Sequence, residues 1–203
     1  MSDAVVGILK TGVANVASVR AALERCGAST IDVESADEVH DLEYLVFPGV
    51  GSFGAGMARL RRDGLAEALS DRFAAEKPTL AICLGLQLLF ESSDESPGVE
   101  GLGILPGHVA RFPDGVRVPQ FGWNRIEAEE DCRVLRSGHV YFANSYRVQN
   151  VPAGWCRAVA HHGGPFVAAF EKGAMVACQF HPELSGSLGM ELLSRWMGKE
   201  EGC

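Results

Sequence analysis

The 203-residue sequence lacks any excess of positive charge: 18 Lys and Arg stand against 26 Asp and Glu, for a formal net charge of −8. Nucleic-acid binders ordinarily present a basic face, so that class is set aside and a small ligand is expected. Long apolar runs are missing as well. Met1–Lys10 has an early acid and no extended apolar core, which predicts neither a signal peptide nor a membrane span and places the protein in the cytoplasm. The six cysteines (26, 83, 132, 156, 178 and 203) form no C-x-x-C pair and no Cys/His cluster at metal-ligand spacing. Structural zinc is therefore not expected, and the thiols read as reduced. No internal repeat, low-complexity tract or linker interrupts the chain. With 47% hydrophobic residues it can close one sizeable core, and a single domain over residues 1–203 is expected.

What is present centres on residues 78–90, PTLAICLGLQLLF. The run Leu80–Ile82 has the length of a buried strand, and the Leu-rich run after Cys83 has helical composition, so the cysteine falls where the two meet. Small Ala81 two residues before and Gly85 two after give the clearance that a sharp strand-to-helix turn needs, as in the serine version of this elbow. Free N–H groups at a helix start favour an anion there. A lone Cys in an apolar stretch is most often structural, so the assignment of Cys83 as nucleophile depends on the rest of the chain.

Taken in order, Ala4–Leu9 reads as a strand. After the loop Lys10–Asn15, Val16, Val19, Leu23 and Cys26 recur at helical spacing until Gly27. Strands are expected at Ser29–Val33 and Tyr44–Phe47, the latter running into Pro48–Gly49–Val50–Gly51, and a helix at Leu65–Glu76. Alternating strands and helices imply a mostly parallel sheet covered on both faces. Residues 92–107, rich in Gly, Ser, Pro and acids, read as a surface connection. Beyond it, short strands at Val109–Phe112, Trp123–Glu127, Val140–Phe142, Cys156–His161, Phe166–Phe170 and Met175–Phe180 predict an appended antiparallel region. Leu188, Leu192, Leu193 and Trp196 mark a closing amphipathic helix.

Two further stretches carry chemistry. In Gln179–Phe180–His181–Pro182–Glu183, a His and a carboxylate two residues apart point the same way in extended chain, so Glu183 can orient His181 and His181 can take the Cys83 proton. An isolated H-x-E is more often a solvated pair. His40, His108, His139 and His161–His162 have no carboxylate so placed in sequence. In Pro48–Gly49–Val50–Gly51 a strand ends beside the expected elbow. Ligands in such sheets bind at the C-terminal strand edges, and the N–H groups of this segment, with that of Leu84, can hold a developing oxyanion. Taken alone, P-G-x-G is an ordinary turn. Gln87 lies on the same helix face as Cys83, which fits either a ligand-facing amide or a core Gln bonded to backbone.

Together these motifs resemble the class I (triad) glutamine amidotransferases, and more narrowly the glutaminase subunits of imidazole glycerol phosphate synthase. The likeness runs through Thr11–Asn15, Pro48–Gly51, Ile82–Leu89, Gly101–Ile104, Val118–Asn124, Tyr141–Tyr146 and Gln179–Glu183. C-L-G-x-Q with a distant H-P-E carries the class, and G-W-N with Y-F-x-x-S-Y carries the subunit. The resemblance implies a flavodoxin-like α/β fold, no cofactor, and a Cys83–His181–Glu183 triad that splits glutamine into glutamate and ammonia through a glutamyl thioester. It further implies that Gly49, Val50 and Gly51 form an oxyanion strand and that Gln87, Ser145 and Tyr146 grip glutamine. Asn15, Trp123 and Asn124 would lie near a (β/α)₈-barrel cyclase subunit, the partner in a heterodimer, which receives the ammonia through a tunnel.

The chain departs from the pattern at Ala81, usually Gly, at Gln120 and Asn144, more commonly His, and at Leu184, where a basic residue is usual. Competing readings are a glutaminase serving another acceptor such as a nucleotide sugar, a catalytically silent docking subunit, and a cysteine peptidase or related hydrolase. The last usually places its acid before its His, the reverse of the order here.

Overall fold

The computed structural model describes residues 4–10 and 16–199. The motif Thr11–Asn15, and with it the partner assignment of Asn15, lies outside the described residues. The elements in chain order are β1 (Ala4–Leu9), α1 (Val16–Arg25), β2 (Ala28–Val33), α2 (Ala36–Asp41), β3 (Tyr44–Gly49), α3 (Phe53–Arg62), α4 (Leu65–Ala74), β4 (Thr79–Cys83), α5 (Leu84–Leu88) and β5 (Phe90–Ser93). There follow β6 (Leu105–Arg111), β7 (Gln120–Ala128), β8 (Gly138–Asn144), β9 (Tyr146–Val148), β10 (Cys156–His161), β11 (Pro165–Lys172), β12 (Met175–Cys178), a 3₁₀ turn Pro182–Leu184 and α6 (Gly186–Trp196).

The strands form one mixed sheet in the order β2-β1-β3-β4-β12-β11-β10-β7-β8, with β5, β6 and β9 joined beside this path. Parallel pairing runs from β2 through β1, β3 and β4 to β12. Antiparallel pairing takes over from β12 to β11 and continues through β10, β7 and β8. Period-two alternation sorts the core onto the two faces. On one face Val46, Leu80, Ile82 and Val176 pack with Val19 and Leu23 of α1 and Leu192, Leu193 and Trp196 of α6. On the other, Leu45, Phe47, Ala81 and Ala177 pack with Val39 of α2, Phe53 and Met57 of α3, and Leu69 and Phe73 of α4. Helices therefore cover both faces of the parallel half, as the alternating pattern predicts. Among the described residues, no helix is long and apolar enough to cross a membrane.

Three local expectations need correction. The Leu-rich run after Cys83 is helical only to Leu88, because Phe90 enters β5 to pair with Leu105 of β6. Residues 92–107 are not all surface: Ser93 and Leu105 are buried. Gly101 passes so close to β5 that an added Cβ would stand 1.9 Å from Phe90 O. Met175–Phe180 leaves strand geometry after Cys178, since Gln179 onward must turn toward the sheet edge.

Candidate active site

β3, β4 and β12 are neighbours in the parallel half and end together, so the segments following them converge at one C-terminal edge. Cys83 is the last residue of β4 and the residue before α5, with φ 54° and ψ −107°. Left-handed backbone at a non-glycine residue stores roughly 1–3 kcal/mol and persists where surrounding packing imposes it. Gly85 supplies the clearance: a Cβ there would stand 2.1 Å from Phe47 O. Gly49 lies directly beside Cys83 in the β3–β4 register, and a Cβ on it would be 2.9 Å from Leu84 Cβ. This strand-to-helix turn is the elbow predicted from the sequence.

His181 follows β12 across the edge. Its N–H donates to Tyr141 O at 2.9 Å, and Ser185 Oγ bridges the turn, donating to His181 O at 2.6 Å and accepting from Tyr141 N–H at 3.0 Å. The imidazole is thereby fixed between β8 and the 3₁₀ turn. Nδ1 stands 2.8 Å from Glu183 Oε1, with both side chains buried. Burial works against a charged imidazole, but hydrogen bonds to Cys83 and Glu183, with the charges of both, outweigh it and raise His181 to about 10. His181 therefore holds a proton at neutral pH. The second carboxylate oxygen, Glu183 Oε2, is buried with no partner among the described residues.

A cavity of about 350 Å³ opens over these groups, lined by Cys83, Leu84, Gln87 and His181 on one side and by Val50 and Gly51 on another. Ala143, Asn144, Ser145 and Tyr146 close it from β8 and β9, and Glu95 adds a carboxylate. The structure thus brings together Cys83, His181, Val50, Gly51, Leu84, Gln87, Ser145 and Tyr146, with Glu183 behind the imidazole. Gly49 is a neighbour of Cys83 rather than part of the lining.

Glu95 was not legible in the sequence, because it sits in an acid-rich stretch that reads as surface. Its carboxylate accepts from the Phe53 N–H, at the start of α3, at 2.6 Å. Gln120 and Asn144 face each other across β7 and β8. Asn144 Nδ2 donates to Tyr146 O at 3.0 Å, while Asn144 Oδ1 and both Gln120 amide atoms are buried with no partner among the described residues. His108 acquires a carboxylate through tertiary contact, Asp94 at 2.7 Å, but both are solvent-exposed and outside the cavity lining.

Trp123 is outside the cavity. With Phe121 it stands on the exposed side of β7, the two being 58% and 69% exposed, and each rests edge-on against Tyr141. Asn124 alternates to the other side of β7 and donates to His161 O at 3.0 Å, so it does not share a face with Trp123. Leu184, directly after the H-P-E turn, is 40% exposed.

A nucleophile elbow and an H-x-E pair one strand away thus converge on one polar cavity. Residues 3–197 fit the model of the glutamine amidotransferase class-I family. The chain belongs to this family. It is 40% identical over 198 residues to imidazole glycerol phosphate synthase subunit HisH of Exiguobacterium sibiricum, covering 98% of this chain and 96% of that one. It is 42% identical over 205 residues to the chloroplastic imidazole glycerol phosphate synthase hisHF of Arabidopsis thaliana, covering 97% of this chain and 34% of the plant protein. The chain thus spans about a third of the plant relative and nearly the whole bacterial one. A solved glutamine amidotransferase structure superposes with a TM-score of 0.76 at 22% identity, covering 95% of this chain and 98% of that chain. At that identity it supports the α/β fold alone.

Proposed function

We propose that this chain is a single-domain, cytoplasmic glutaminase subunit of an imidazole glycerol phosphate synthase, feeding ammonia to a (β/α)₈ cyclase in histidine biosynthesis. The observation that carries the reading is the convergence of the Cys83 elbow and the buried His181–Glu183 pair on one cavity, in a chain whose relatives include named HisH subunits.

Cys83 Sγ attacks the side-chain carbonyl carbon of glutamine. The oxyanion that forms is held by backbone N–H groups of the Val50–Gly51 segment and Leu84, which line the cavity beside the sulfur. Protonated His181 gives its proton to the departing nitrogen, the C–N bond breaks, and ammonia leaves a glutamyl thioester on Cys83. Neutral His181 then takes a proton from water as that water attacks the thioester, releasing glutamate and the sulfur. Glu183 keeps Nε2 of the imidazole turned toward the reacting atoms by accepting from Nδ1. Gln87, with the Ser145–Tyr146 backbone, holds the amino-acid frame. Glu95, the carboxylate in the lining, faces the substrate's α-ammonium.

The partner docks on the exposed aromatic face. Phe121 and Trp123 on β7 lean on Tyr141, whose carbonyl holds the His181 N–H. A barrel seated there is mechanically linked to the catalytic turn, and exposed Leu184 extends the apolar surface. The acceptor is the phosphoribulosyl-formimino ribonucleotide on the cyclase, converted to imidazole glycerol phosphate and an aminoimidazole carboxamide ribonucleotide. Glutamine labelled at its amide nitrogen tests this. With the cyclase and its nucleotide present, the label should enter imidazole glycerol phosphate. Labelled ammonia released without transfer, together with transfer to another synthase's acceptor, would replace the histidine-pathway assignment.

A further inference from the structure

Gln179 has no part in the mechanism above, yet it is fully buried at 0% exposure and touches the nucleophile. It follows β12, the strand next to β4 in the sheet, and its N–H donates to Ala168 O at 2.8 Å. The backbone is thus fixed where the side chain reaches over the end of β4. Gln179 Nε2 lies 3.6 Å from Cys83 Sγ. Its Oε1 accepts from Gln87 Nε2 at 2.9 Å. Two buried carboxamides therefore run in series from the sulfur to the substrate cavity.

Chemistry sets the direction of this series. A carboxamide offers donors at one end and an acceptor at the other, and its partners decide which way round it sits. Sulfur about to attack carries negative charge and calls for a donor, so Nε2 of Gln179 faces it and Oε1 faces away. Gln87 must then meet Oε1 with its own Nε2, which leaves Gln87 Oε1 as an acceptor for the cavity. Reversing both amides would set a carbonyl oxygen against the sulfur's lone pairs. The sulfur thus dictates which polarity the substrate-facing amide shows, and glutamine, with N–H donors on its ammonium and its carboxamide, matches an acceptor.

We propose that Gln179 is a further catalytic residue: its Nε2–H aims and stabilises the Cys83 thiolate, and its Oε1 fixes Gln87 as an acceptor toward the ligand. The hydrogen bond weakens as the sulfur's charge passes to the substrate oxygen and re-forms when water splits the thioester and the charge returns. Gln179 therefore assists most in expelling sulfur from the second tetrahedral intermediate. This deepens the glutaminase reading and rests on it.

The test compares the full chain, in complex with its cyclase, with Gln179→Met, which keeps volume and removes the donor, and Gln179→Glu, which keeps shape and turns a carboxylate toward the sulfur. The reading is the alkylation rate of Cys83 by a small haloacetamide at neutral pH, followed by peptide mass spectrometry. That reagent carries no glutamine frame, so the rate reports on the sulfur and not on substrate grip. Losing this donor lowers the share of sulfur held as thiolate, partly offset by the greater nucleophilicity of the thiolate that remains, which predicts a fall of up to roughly 10-fold in Gln179→Met and a larger one in Gln179→Glu. Gln87→Met, which leaves the donor but frees its orientation, should fall in between. A merely structural Gln179 predicts the opposite sign, since loosened packing uncovers a buried thiol and speeds alkylation. Rates at or above wild type in both Gln179 variants would overturn the proposal. Failure of a glutamine-shaped electrophile to label Cys83 in the wild type would instead overturn the glutaminase reading, whatever the variants do.

Discussion

His181 Nδ1 and Glu183 Oε1 stand 2.8 Å apart in a buried setting, joined through Pro182 by the shortest path along the chain. The 3₁₀ turn, which starts at Pro182, folds the acid back under the ring, so one short segment provides both the base and its orienting group. His181→Ala should remove glutamine turnover almost as fully as loss of Cys83. Glu183→Gln should cost less, because an amide oxygen still accepts from Nδ1 but stabilises the imidazolium poorly. Steady-state glutamate formation in the assembled enzyme checks the order. Wild-type turnover by Glu183→Gln would mean that the pair is not catalytic.

The same pair sets a dependence of stability on pH. Burial opposes the imidazolium, but the bonds and charges of Cys83 and Glu183 prevail and raise His181 to about 10, above its ordinary value of 6.5. A group raised on folding stabilises fully below its unfolded value, and that contribution is lost as pH rises through the folded one. Between about pH 6.5 and 10 the wild type should lose stability relative to His181→Asn, by up to ~1.4 kcal/mol per pH unit. Denaturant midpoints of both proteins across this window measure the difference. Parallel curves would contradict a protonated, buried His181.

Cys83 should be singled out by a glutamine analogue bearing an electrophile. Cys26, Cys132 and Cys178 are also buried cysteines. Burial first, then Glu171 and Cys156, push the Cys132 thiol up to about 12, and burial first, then Glu183, pushes Cys178 well above the ordinary range. Neither lines the glutamine cavity. Peptide mapping should place the adduct on Cys83 and leave the others free. Equal labelling elsewhere would sink the nucleophile assignment.

Much of this was legible in the residues. Ala4–Leu9 and Cys156–His161 match their strands end to end, because each is bounded by turn residues and has β-type composition. The elbow was legible because Cys83 stands between a three-residue apolar strand core and a glycine. Helix α3 was not, since Gly54 and Gly56 lower its helical signal; a Cβ at either would stand 3.0 Å from Ser96 Oγ or Leu88 Cδ1, tighter than ordinary contact. Helix α2 was not expected either, although the structure shows a capping box of Ser35 and Glu38 at its start. Glu95 and Gln179 escaped notice because their roles come from tertiary contacts, a helix start in one case and a sulfur in the other, which leave no periodic trace.

Arg72 shows how the fold supports the site's edge from the opposite end of the strands. It is 1% exposed and, among the described residues, pairs with no acid, donating instead to the carbonyls of Val39, Leu42, Glu43 and Pro78 and to Thr79 Oγ1. Burial lowers its guanidinium to about 10. These bonds tie the end of α2 and the entries to β3 and β4 together. Arg72→Met should cost about 3 kcal/mol or more, since several buried carbonyls lose their donor at once. Thermal unfolding measures it, and a change under 1 kcal/mol would contradict the account.

Under the proposed function, the cavity works only when a barrel is seated beside it. Gly51 has φ 104°, a conformation open to glycine, and under the proposed function the Val50–Gly51 peptide turns between aiming an N–H and aiming a carbonyl at the oxyanion. Loss of one such donor costs roughly 10²–10³-fold in rate. Under the proposed function, docking near Phe121, Trp123 and the catalytic turn is expected to shift the segment to its productive form. The deciding measurement is the rate of glutamate formation by the purified chain, first alone and then with the cyclase subunit and its nucleotide ligand. A trace rate is expected alone, with a rise of roughly 10²-fold or more in the complex. Full glutaminase activity in the isolated chain would contradict it.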